Sequence, residues 1–340
     1  MKDADEEAMN QSEYPLVTVG LPVFNGAAHL QFTIDAILKQ SYKNIELIIC
    51  DNASTDETEK IALQSVLEDD RVKFIKNERN IGIFNNFSRV LREASGEFFM
   101  WAAYDDLHSP DFIEESVGRL AENPHAVLCQ TRVAVCLESP ERIIYYANLN
   151  SFQSTASVKR RYKETLYNFP AVAIYGIYRT KMAKRIPGFR NIPGGDLLWV
   201  QELSLAGEFI QSEKTLFQYI ARAEWNSFEN DLKNLASQSV YFKHPILRAA
   251  ATLLDRIRSI RRSDTSNLSK ILLMTIAVQY SIRTVFVRVL LRGVGLLGSE
   301  GLVRALKNKL FWRFLHNPNI EIVDMDLFQK RVINPTIGIL

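Results

Sequence analysis

The sequence has only three cysteines in 340 residues, and none of them stands in a spacing typical of a metal site. Cys50, Cys129 and Cys136 each lie in an apolar run, which indicates buried thiols in a reducing compartment. The N-terminus is acidic and polar, so we expect neither a signal peptide nor a transit peptide. No run reaches the roughly 18 uncharged apolar residues that a spanning helix needs. These absences argue against a disulfide framework, a zinc module and an integral membrane protein.

Charge is nearly balanced over the whole chain but unevenly distributed along it. The formal net charge of +2 gives no sign of nucleic-acid binding. Residues 235–340 hold 16 basic and 6 acidic side chains, so the preceding part carries an acidic excess. Basic charge beside apolar helices often meets anionic lipid, and this part of the chain has both features.

Short apolar runs alternate with segments of helical periodicity in the first third of the chain. Strands are predicted at residues 16–21, 45–50, 72–75 and 97–103, with helices at 28–39, from near 57, and from 82 to about 94. This alternation predicts an α/β fold with a parallel sheet covered on both faces. Residues 127–220 mix strand-like runs, at 126–137 and 171–178, with helices, and the chain from residue 235 onward is strongly helical.

Polar segments follow three of the predicted strands at the point where each strand ends. They are residues 22–26, 51–56 and 104–108. Functional loops in parallel sheets lie beyond the carboxyl ends of the strands, so the shared position indicates a single site.

The third segment contains the acidic pair Asp105 and Asp106. Two neighbouring carboxylates repel each other unless a cation neutralises them, and Mg²⁺ or Mn²⁺ binds carboxylate and phosphate oxygens together. Such an ion could stabilise a diphosphate leaving group. The alternative is a helix cap, because an aspartate before Ser109 and Pro110 is a common turn. His108 could also approach the metal, although a lone loop histidine is more often solvated.

The first two segments carry groups suited to a nucleotide. Phe24 could stack on a base, and Asn25 favours a left-handed backbone. Asp51 could accept a hydrogen bond from a nucleobase imide, and Asn52 offers both a donor and an acceptor. A capping loop before the following helix is the alternative for Asp51 and Asn52.

Two further segments have a functional and a structural interpretation. The asparagine-rich residues 77–86 could present amides to a ribose or a phosphate, or could begin a helix. Asp196 follows a glycine pair at the start of an apolar helix. A carboxylate there stays ionised more readily, which suits a general base, but a helix N-cap is the common role.

Taken in order, these segments resemble family 2 glycosyltransferases with the GT-A fold. The matching segments are residues 17–26, 46–56, 77–86, 94–98 and 101–110, and the resemblance extends over roughly residues 15–225. It implies a Rossmann-like, mostly parallel sheet flanked by helices, followed by a helical C-terminal region. The expected units are a disordered leader (1–14), a GT-A domain (15–230) and the helical, basic and apolar region (231–340). Within the domain, residues 15–125 would bind the nucleotide and residues 126–230 the acceptor.

The resemblance also implies site residues. Those expected to bind the nucleotide-sugar are Pro22, Val23, Phe24, Asn25, Asp51, Asn52, Gly82, Asn86 and Asp105. Asp106, supported by Asp105, would bind the metal. Asp196 would take the proton from the acceptor hydroxyl in a single displacement with inversion.

The sequence departs from the family pattern at three places. Ala103 stands where the family often has an acidic residue, which puts a metal-ligand role for both aspartates in doubt. Gly195 replaces a glutamate that often precedes the base. Residues 217–225 only loosely match the Q-x-x-R-W segment of polymer-making members, which favours transfer of a single sugar.

The partners implied are a UDP- or dTDP-sugar, a saccharide or lipid-linked saccharide acceptor, and Mg²⁺ or Mn²⁺, in biosynthesis of a bacterial cell-surface polysaccharide. We expect a cytoplasmic protein, with residues 271–314 contacting the inner face of the plasma membrane, packing on the catalytic body or forming a homo-oligomer. A nucleotidyltransferase is one alternative function, but the loop after the first strand lacks basic residues other than His29. A non-catalytic homologue is another, suggested by Ala103.

Overall fold

A computed structural model of the protein describes residues 14–152, 157–192, 194–221, 245–296 and 317–328. The four strands predicted in the first third of the chain are present as β1 (Val17–Val23), β2 (Ile45–Asp51), β3 (Val72–Lys76) and β4 (Phe98–Trp101). They lie in the order β3-β2-β1-β4 and are all parallel. Every residue of β1 and β2 is buried, as expected for parallel strands covered on both faces.

Helices connect these strands and separate two apolar layers. The connecting helices are α1 (Leu30–Leu38), α2 (Thr58–Glu68) and α3 (Ile83–Glu93), and α4 (Phe112–Glu122) follows a two-residue strand, β5 (Leu107–His108). Side chains of β4 alternate between the layers: Met100 packs with α1, α2 and α4, whereas Trp101 packs with α3. The predicted α/β alternation is therefore confirmed.

The second half of the domain adds antiparallel pairs to the sheet. Its strands are β6 (Ala126–Leu137), β7 (Ile143–Ala147), β8 (Ile177–Arg179) and β9 (Glu208–Ala221). β8 lies antiparallel between β4 and β6, and β9 pairs in parallel with β6 and antiparallel with β5. The pairing with β5 brings the end of β9 beside the acidic segment that follows β4.

One predicted strand is only partly correct. Residues 171–178 form a 3₁₀ turn, Ala171–Tyr175, and only then enter β8. The turn follows Pro170, which cannot donate to a strand ladder. Gly176 lies so close to the neighbouring strand that a Cβ would be 2.6 Å from the Cys129 carbonyl oxygen. The turn leaves Tyr175 at the edge of the candidate site described below.

Three short helices complete the second half of the domain: α5 (Val158–Tyr167), α6 (Thr180–Lys184) and α7 (Gly195–Leu203). The three cysteines are buried thiols, as predicted. Burial raises the pKa of Cys50 to about 11, so this thiol is protonated at neutral pH.

The C-terminal region begins with two helices that pack on the domain. These are α8 (Pro245–Arg262) and α9 (Asn267–Leu296). Together with α5 they bury an apolar cluster that includes Tyr162, Leu166, Ile260, Leu273 and Ala277. Of the contacts expected for this region, the structure shows packing of these two helices on the preceding domain. In the part of the chain that the structure describes, no helix is long and apolar enough to cross a bilayer.

The region is not helical throughout. Strand β10 (Ile320–Ile322) pairs antiparallel with β7, and α10 (Met325–Phe328) covers it with the buried Phe328. Residues near the end of the chain therefore extend the sheet of the preceding domain. The expected leader and the boundary at residue 230 fall on residues outside the described ranges, and the division into units stays a prediction.

A buried carboxylate joins three strands at the amino-terminal edge of the parallel sheet. Glu46 accepts hydrogen bonds from the Thr18 hydroxyl, from the Ser95 amide at 2.8 Å and from Lys73 Nζ at 2.7 Å. Burial by itself would raise the pKa of Glu46, but the hydrogen bonds from Lys73, Ser95 and Thr18 lower it to about 2. The carboxylate of Glu46 is therefore satisfied within the protein.

We predict that Glu46→Gln destabilises the fold without altering the site at the opposite edge. Loss of charge-assisted hydrogen bonds should lower the free energy of unfolding by about 1.5–3 kcal/mol. The wild-type contribution is lost as pH falls from the ordinary glutamate pKa towards about 2, so the two proteins should converge in stability in acid. Chemical denaturation across pH measures this, with the exposed Glu57→Gln as control. A constant difference down to pH 2 would contradict it.

Candidate functional site

The loops after β1 and β2 are hydrogen-bonded to each other at the carboxyl edge of the sheet. The Asn25 amide donates to Ser54 Oγ at 2.8 Å, and the Thr55 amide donates to Asn25 Oδ1 at 2.9 Å. Asn25 has a φ of 50°, a left-handed conformation that asparagine tolerates well. Its side chain therefore joins the two loops. Pro22 and Val23 are buried parts of β1, whereas Phe24 is 43% exposed beside them.

Asp51 ends β2 with one carboxylate oxygen engaged and the other available. Oδ1 accepts hydrogen bonds from the amide and the hydroxyl of Ser54, the amide at 3.0 Å. Oδ2 is buried and has no hydrogen-bond partner among the described residues. A buried carboxylate oxygen without a partner is costly, so this atom suits a ligand that brings its own N–H group.

Asn52 and Asn86 have their amide groups engaged inside the protein. Asn52 Oδ1 accepts from Asn77 Nδ2 at 3.0 Å and from the Ile81 amide at 2.9 Å. Asn86 Oδ1 accepts from Asn77 Nδ2 at 2.8 Å, while its Nδ2 donates to the Cys50 carbonyl at 2.9 Å. The observed role of this amide cluster is to hold the 77–81 loop against β2. Contact of Asn52 or Asn86 with a nucleotide stays a prediction.

Gly82 is the N-cap residue of α3, with a φ of 84°, and nothing lies within 4 Å of where its Cβ would be. Its amide donates to Asn80 Oδ1 at 2.9 Å. Residues 77–86 thus include a helix start, as one interpretation of this segment expected, and contact of its amides with a ribose or a phosphate stays a prediction.

The acidic segment after β4 is fixed from both sides. The Thr33 hydroxyl of α1 donates to the Tyr104 carbonyl at 2.7 Å, and the Ile220 amide of β9 donates to Asp106 Oδ1 at 3.1 Å. Asp106 is 2% exposed, whereas Asp105 is partly exposed. The N-cap residue of α4 is Asp111, so the acidic pair does not cap this helix.

Two tyrosines that the sequence interpretation missed lie beside these carboxylates. Tyr175, from the 3₁₀ turn, stacks on Tyr219 of β9 with ring centroids 6.3 Å apart. Burial, and then the negative charges of Asp106, Asp105 and Asp196, raise the pKa of Tyr175 well above its usual range. Burial, Asp106 and Asp105 likewise raise the pKa of Tyr219. The charges of the predicted metal ligands and of the predicted base thus both contribute to the raised pKa of Tyr175.

Asp196 lies in the first turn of α7, after Gly194 with a φ of 75°. Burial raises the pKa of Asp196, opposed by hydrogen bonds from backbone N–H groups at the helix N-terminus. Gly195 packs directly on the Arg190 carbonyl oxygen and has no room for a Cβ. This explains the departure from the family pattern, because this backbone path has no space for an acidic side chain at position 195.

The opposite end of α7 is held by the buried carboxylate of Glu202. It accepts hydrogen bonds from Arg190 Nη2 at 2.7 Å, from Arg262 Nη2 at 2.8 Å and from Ser259 Oγ at 2.8 Å. Arg190 belongs to the loop that packs on Gly195, and Ser259 and Arg262 belong to α8. We call this group the Glu202 cluster. It connects the C-terminal helices to the helix that carries Asp196.

His108 is half-buried, and its ring packs on two aromatic side chains. Its ring stacks on Phe217 at 4.7 Å and meets the edge of Phe112 at 4.9 Å. Burial lowers the pKa of His108 to about 3, so the ring is neutral at pH 7. These contacts give it a structural role in joining β5, β9 and α4, and they do not support metal binding.

The acidic pair fits a divalent cation that is completed by substrate. Within the described ranges, no three His, Cys, Asp or Glu side chains come together as a metal-binding group. Mg²⁺ commonly binds through one or two carboxylates plus substrate phosphates. The residues present therefore suit an ion that enters with a diphosphate better than one held permanently by the protein.

The architecture and the carboxyl-edge site define a GT-A type α/β protein, and comparisons with known proteins agree. The S. aureus protein TarS, residues 1–349, superposes with a TM-score of 0.53 at 17% identity, over 78% of this chain and 71% of that one. A mannosyltransferase from Pyrobaculum calidifontis, PcManGT, has a TM-score of 0.51 at 16% identity, over 91% and 83% of the two chains. The predicted GT-A fold is confirmed.

Sequence comparison agrees with the resemblance. Residues 18–183, just under half of the chain, match glycosyl transferase family 2. A glycosyltransferase of Rickettsia typhi is 39% identical over 113 residues, which are 33% of this chain and 34% of that protein. The putative glycosyltransferase EpsE of Bacillus subtilis is 37% identical over 122 residues, 36% of this chain and 44% of EpsE. These matches support a family 2 glycosyltransferase. The aligned segments span only about a third to under a half of these relatives.

We predict that Glu202→Gln impairs turnover of a nucleotide-sugar as well as stability. Glutamine removes the charge that Arg190 and Arg262 share and leaves Arg190 only Asp255, at 3.7 Å, as an acidic neighbour, which should cost about 1.5–3 kcal/mol of folding free energy. If the cluster positions Asp196, kcat should fall about tenfold while KM for the donor stays unchanged. Steady-state kinetics well below the melting temperature measure this, with Asp264→Asn, an exposed ion-pair residue, as control. A lower melting temperature with unchanged kcat would show that the cluster only stabilises the fold.

Proposed function

We propose that the protein is an inverting glycosyltransferase that moves a single sugar from a UDP- or dTDP-sugar to a saccharide or lipid-linked saccharide. The observation that carries this proposal is a chain of contacts from the acidic pair to α7: the Ile220 amide donates to Asp106 Oδ1, Tyr219 stacks on Tyr175, and the 3₁₀ turn of Tyr175 packs against α7, the helix of Asp196. The acidic pair lies beyond the carboxyl end of β4, which is the usual place of a ligand site in such folds. The match of residues 18–183 to glycosyl transferase family 2 weighs against the nucleotidyltransferase alternative.

Asp51 and Phe24 supply the proposed contacts to the base. Uracil and thymine both carry an imide N–H, which Asp51 Oδ2 can accept because that atom has no partner in the described structure. The exposed ring of Phe24 lies in the adjoining loop and can stack on a planar base. In support, TarS has been crystallised with UDP and with UDP-GlcNAc.

Asp106 and Asp105 are proposed to hold the metal. Bound there with the donor, Mg²⁺ or Mn²⁺ would neutralise the negative charge of the diphosphate leaving group. The PcManGT structure contains GDP-Man and Mn²⁺, which supports a metal in proteins of this fold. The Ile220 amide fixes Asp106 Oδ1, so the carboxylate is oriented before the donor arrives.

Asp196 is proposed to be the general base. It removes the proton from the acceptor hydroxyl as that oxygen attacks the anomeric carbon and the bond to the diphosphate breaks. A single displacement of this kind inverts the anomeric configuration and needs no enzyme nucleophile. Burial raises the pKa of Asp196, which makes the carboxylate a stronger base than an exposed aspartate.

Two features of the proposed function rest on the sequence. Residues 222–225, part of the loosely matching segment that favours single-sugar transfer, lie outside the described ranges. A role in the biosynthesis of a bacterial cell-surface polysaccharide, in the cytoplasm, likewise stays a prediction.

We predict that Asp196→Asn abolishes transfer without destabilising the protein. Loss of the base should lower kcat by about 10²–10⁴-fold. Because the folded pKa is raised, ionising Asp196 costs stability as pH rises through that pKa, so the variant should melt no lower than wild type at pH 7. The acid limb of the wild-type kcat profile should lie above the ordinary aspartate range. Product assays and thermal melts measure this, with the exposed Asp70→Asn as control. Unchanged turnover would refute the assignment of the base.

We predict that Mn²⁺ stabilises the protein only together with a nucleoside diphosphate. With two carboxylates as its ligands, the ion alone should shift the melting temperature little, whereas UDP or dTDP with Mn²⁺ at about 100 times Kd should add about 2.7 kcal/mol. Asp106→Asn should remove the Mn²⁺-dependent part of this stabilisation, because the asparagine carries no charge. Its side-chain oxygen can still accept the hydrogen bond from the Ile220 amide. Uridine, which lacks the diphosphate, is the matched ligand control. If no UDP or dTDP compound stabilises the protein with Mn²⁺, the donor site is wrongly assigned.

A further inference from the structure

Helix α9 has a buried face and an exposed apolar face. Leu273 and Ala277 are fully buried against α5 and α8. Residues at helical spacing on the other side form what we call the outer stripe, which consists of Leu268, Ile271, Leu272, Thr275, Gln279, Ile282 and Phe286. Its five apolar members are between 41% and 69% exposed. At 1.5 Å per residue, the stripe is about 27 Å long.

Such a stripe is unusual on the surface of a protein that has no binding partner. Single exposed apolar residues are common, but contiguous rows mark interaction sites. The side chains of this helix that the structure describes include the basic Lys270 and Arg283 and no acidic one. This part of its surface is therefore both apolar and positively charged.

A groove between α9 and α5 adds two lysines to this surface. It encloses about 320 Å³ and is lined by Lys159, Lys163, Tyr167, Leu272, Thr275, Ile276 and Gln279. Both lysines are exposed, and Leu272 and Thr275 belong to the outer stripe. Arg283 lies over the Tyr167 ring at 5.9 Å. Ammonium groups and aliphatic side chains thus lie side by side, as an anionic amphiphile requires.

We propose that the outer stripe and the two groove lysines form a docking surface for a bilayer that contains anionic phospholipid. The apolar side chains would enter the boundary between headgroups and acyl chains, and Lys159 and Lys163 would bind lipid phosphates. Charge complementarity favours an anionic bilayer over two other occupants. A second copy of the chain would bring two basic surfaces together. Residues 297–316 of the same chain would also place basic charge on a basic surface, because they have four basic side chains and one acidic.

The docking surface is connected to the helix of the proposed general base. Arg256 of α8 donates from Nε to Gln201 Oε1 at 3.0 Å and from Nη1 to Ser281 Oγ of α9 at 3.3 Å. Together with the Glu202 cluster, these bonds hold α8 and α9 in a fixed relation to α7. Docking would therefore set the orientation of the site relative to the bilayer, whichever sugar and acceptor the enzyme uses.

The test is sedimentation of the full chain with vesicles, measured without any sugar donor. Wild type should bind vesicles of phosphatidylglycerol and phosphatidylcholine, and should bind pure phosphatidylcholine at least about tenfold more weakly. Ile271→Ser with Ile282→Ser should weaken binding about tenfold or more, and so should Lys159→Glu with Lys163→Glu. Matched controls are Phe32→Ser with Leu67→Ser, exposed apolar residues of α1 and α2, and the exposed Lys60→Glu. Melting curves check that all variants fold.

Several outcomes would overturn the proposal. One is a lack of vesicle binding, or binding that the stripe and lysine variants do not weaken. Another is a dimer, measured by light scattering, that the Ile271→Ser and Ile282→Ser changes dissociate, which would make the surface a self-association site. A third is photo-crosslinking from position 275 or 279 to residues 297–316 of the same chain. Because no sugar donor is present, a negative vesicle result does not contradict the proposed glycosyl transfer. A negative transfer assay likewise does not affect the vesicle result.

Discussion

The site depends on the parallel pairing of β1 with strands on both of its sides. Val17 is in register with Ile45 of β2 and with Phe98 of β4, so the three strands start together. Strands that start together in a parallel sheet also direct their following loops to one edge. Asp51, Asn25 and the acidic pair come from distant parts of the sequence, and this register is what places them in one region. The connecting helices follow from it, because parallel neighbours need a crossover.

The two edges of this sheet are chemically different. At the amino edge, Glu46 is surrounded by donors from Thr18, Ser95 and Lys73. At the carboxyl edge, Asp51 keeps one oxygen without a partner in the described structure. Asp196, in the helix beside the 3₁₀ turn, is half-buried, and burial raises its pKa. A buried carboxylate that is hydrogen-bonded internally stabilises a fold, whereas one left for a ligand costs stability until the ligand binds. Asp51 is of the second kind, and it lies where the donor is proposed to bind.

The local part of this arrangement could be predicted from the sequence, and the non-local part could not. Apolar runs located β1 to β4 because parallel strands are buried along their whole length. The run at 126–137 likewise matches β6, while residues 171–178 were mistaken for one strand because a 3₁₀ turn has no periodicity of its own. Tyr175 and Tyr219 were missed because their position depends on β9 pairing with β5 and β6 across long sequence distances. The hydrogen bonds of Asn52 and Asn86 within the protein could not be predicted either, because an asparagine-rich segment does not indicate which amides face inward. Gly195 shows the reverse case: a departure from the family pattern that only the contact with Arg190 explains.

The pairing of β10 with β7 has a consequence for how the chain is made. Synthesis proceeds from the N-terminus, so β7 emerges from the ribosome long before residues 320–322 exist. Until then one side of β7 is an open strand edge, a surface on which chains tend to associate wrongly. The Glu202 cluster is also incomplete until α8 has been synthesised. Residues 15–125 can fold early, but the edge of β7 is covered only after residue 322 has been translated, and nascent chains interrupted before that point keep the open edge that promotes aggregation.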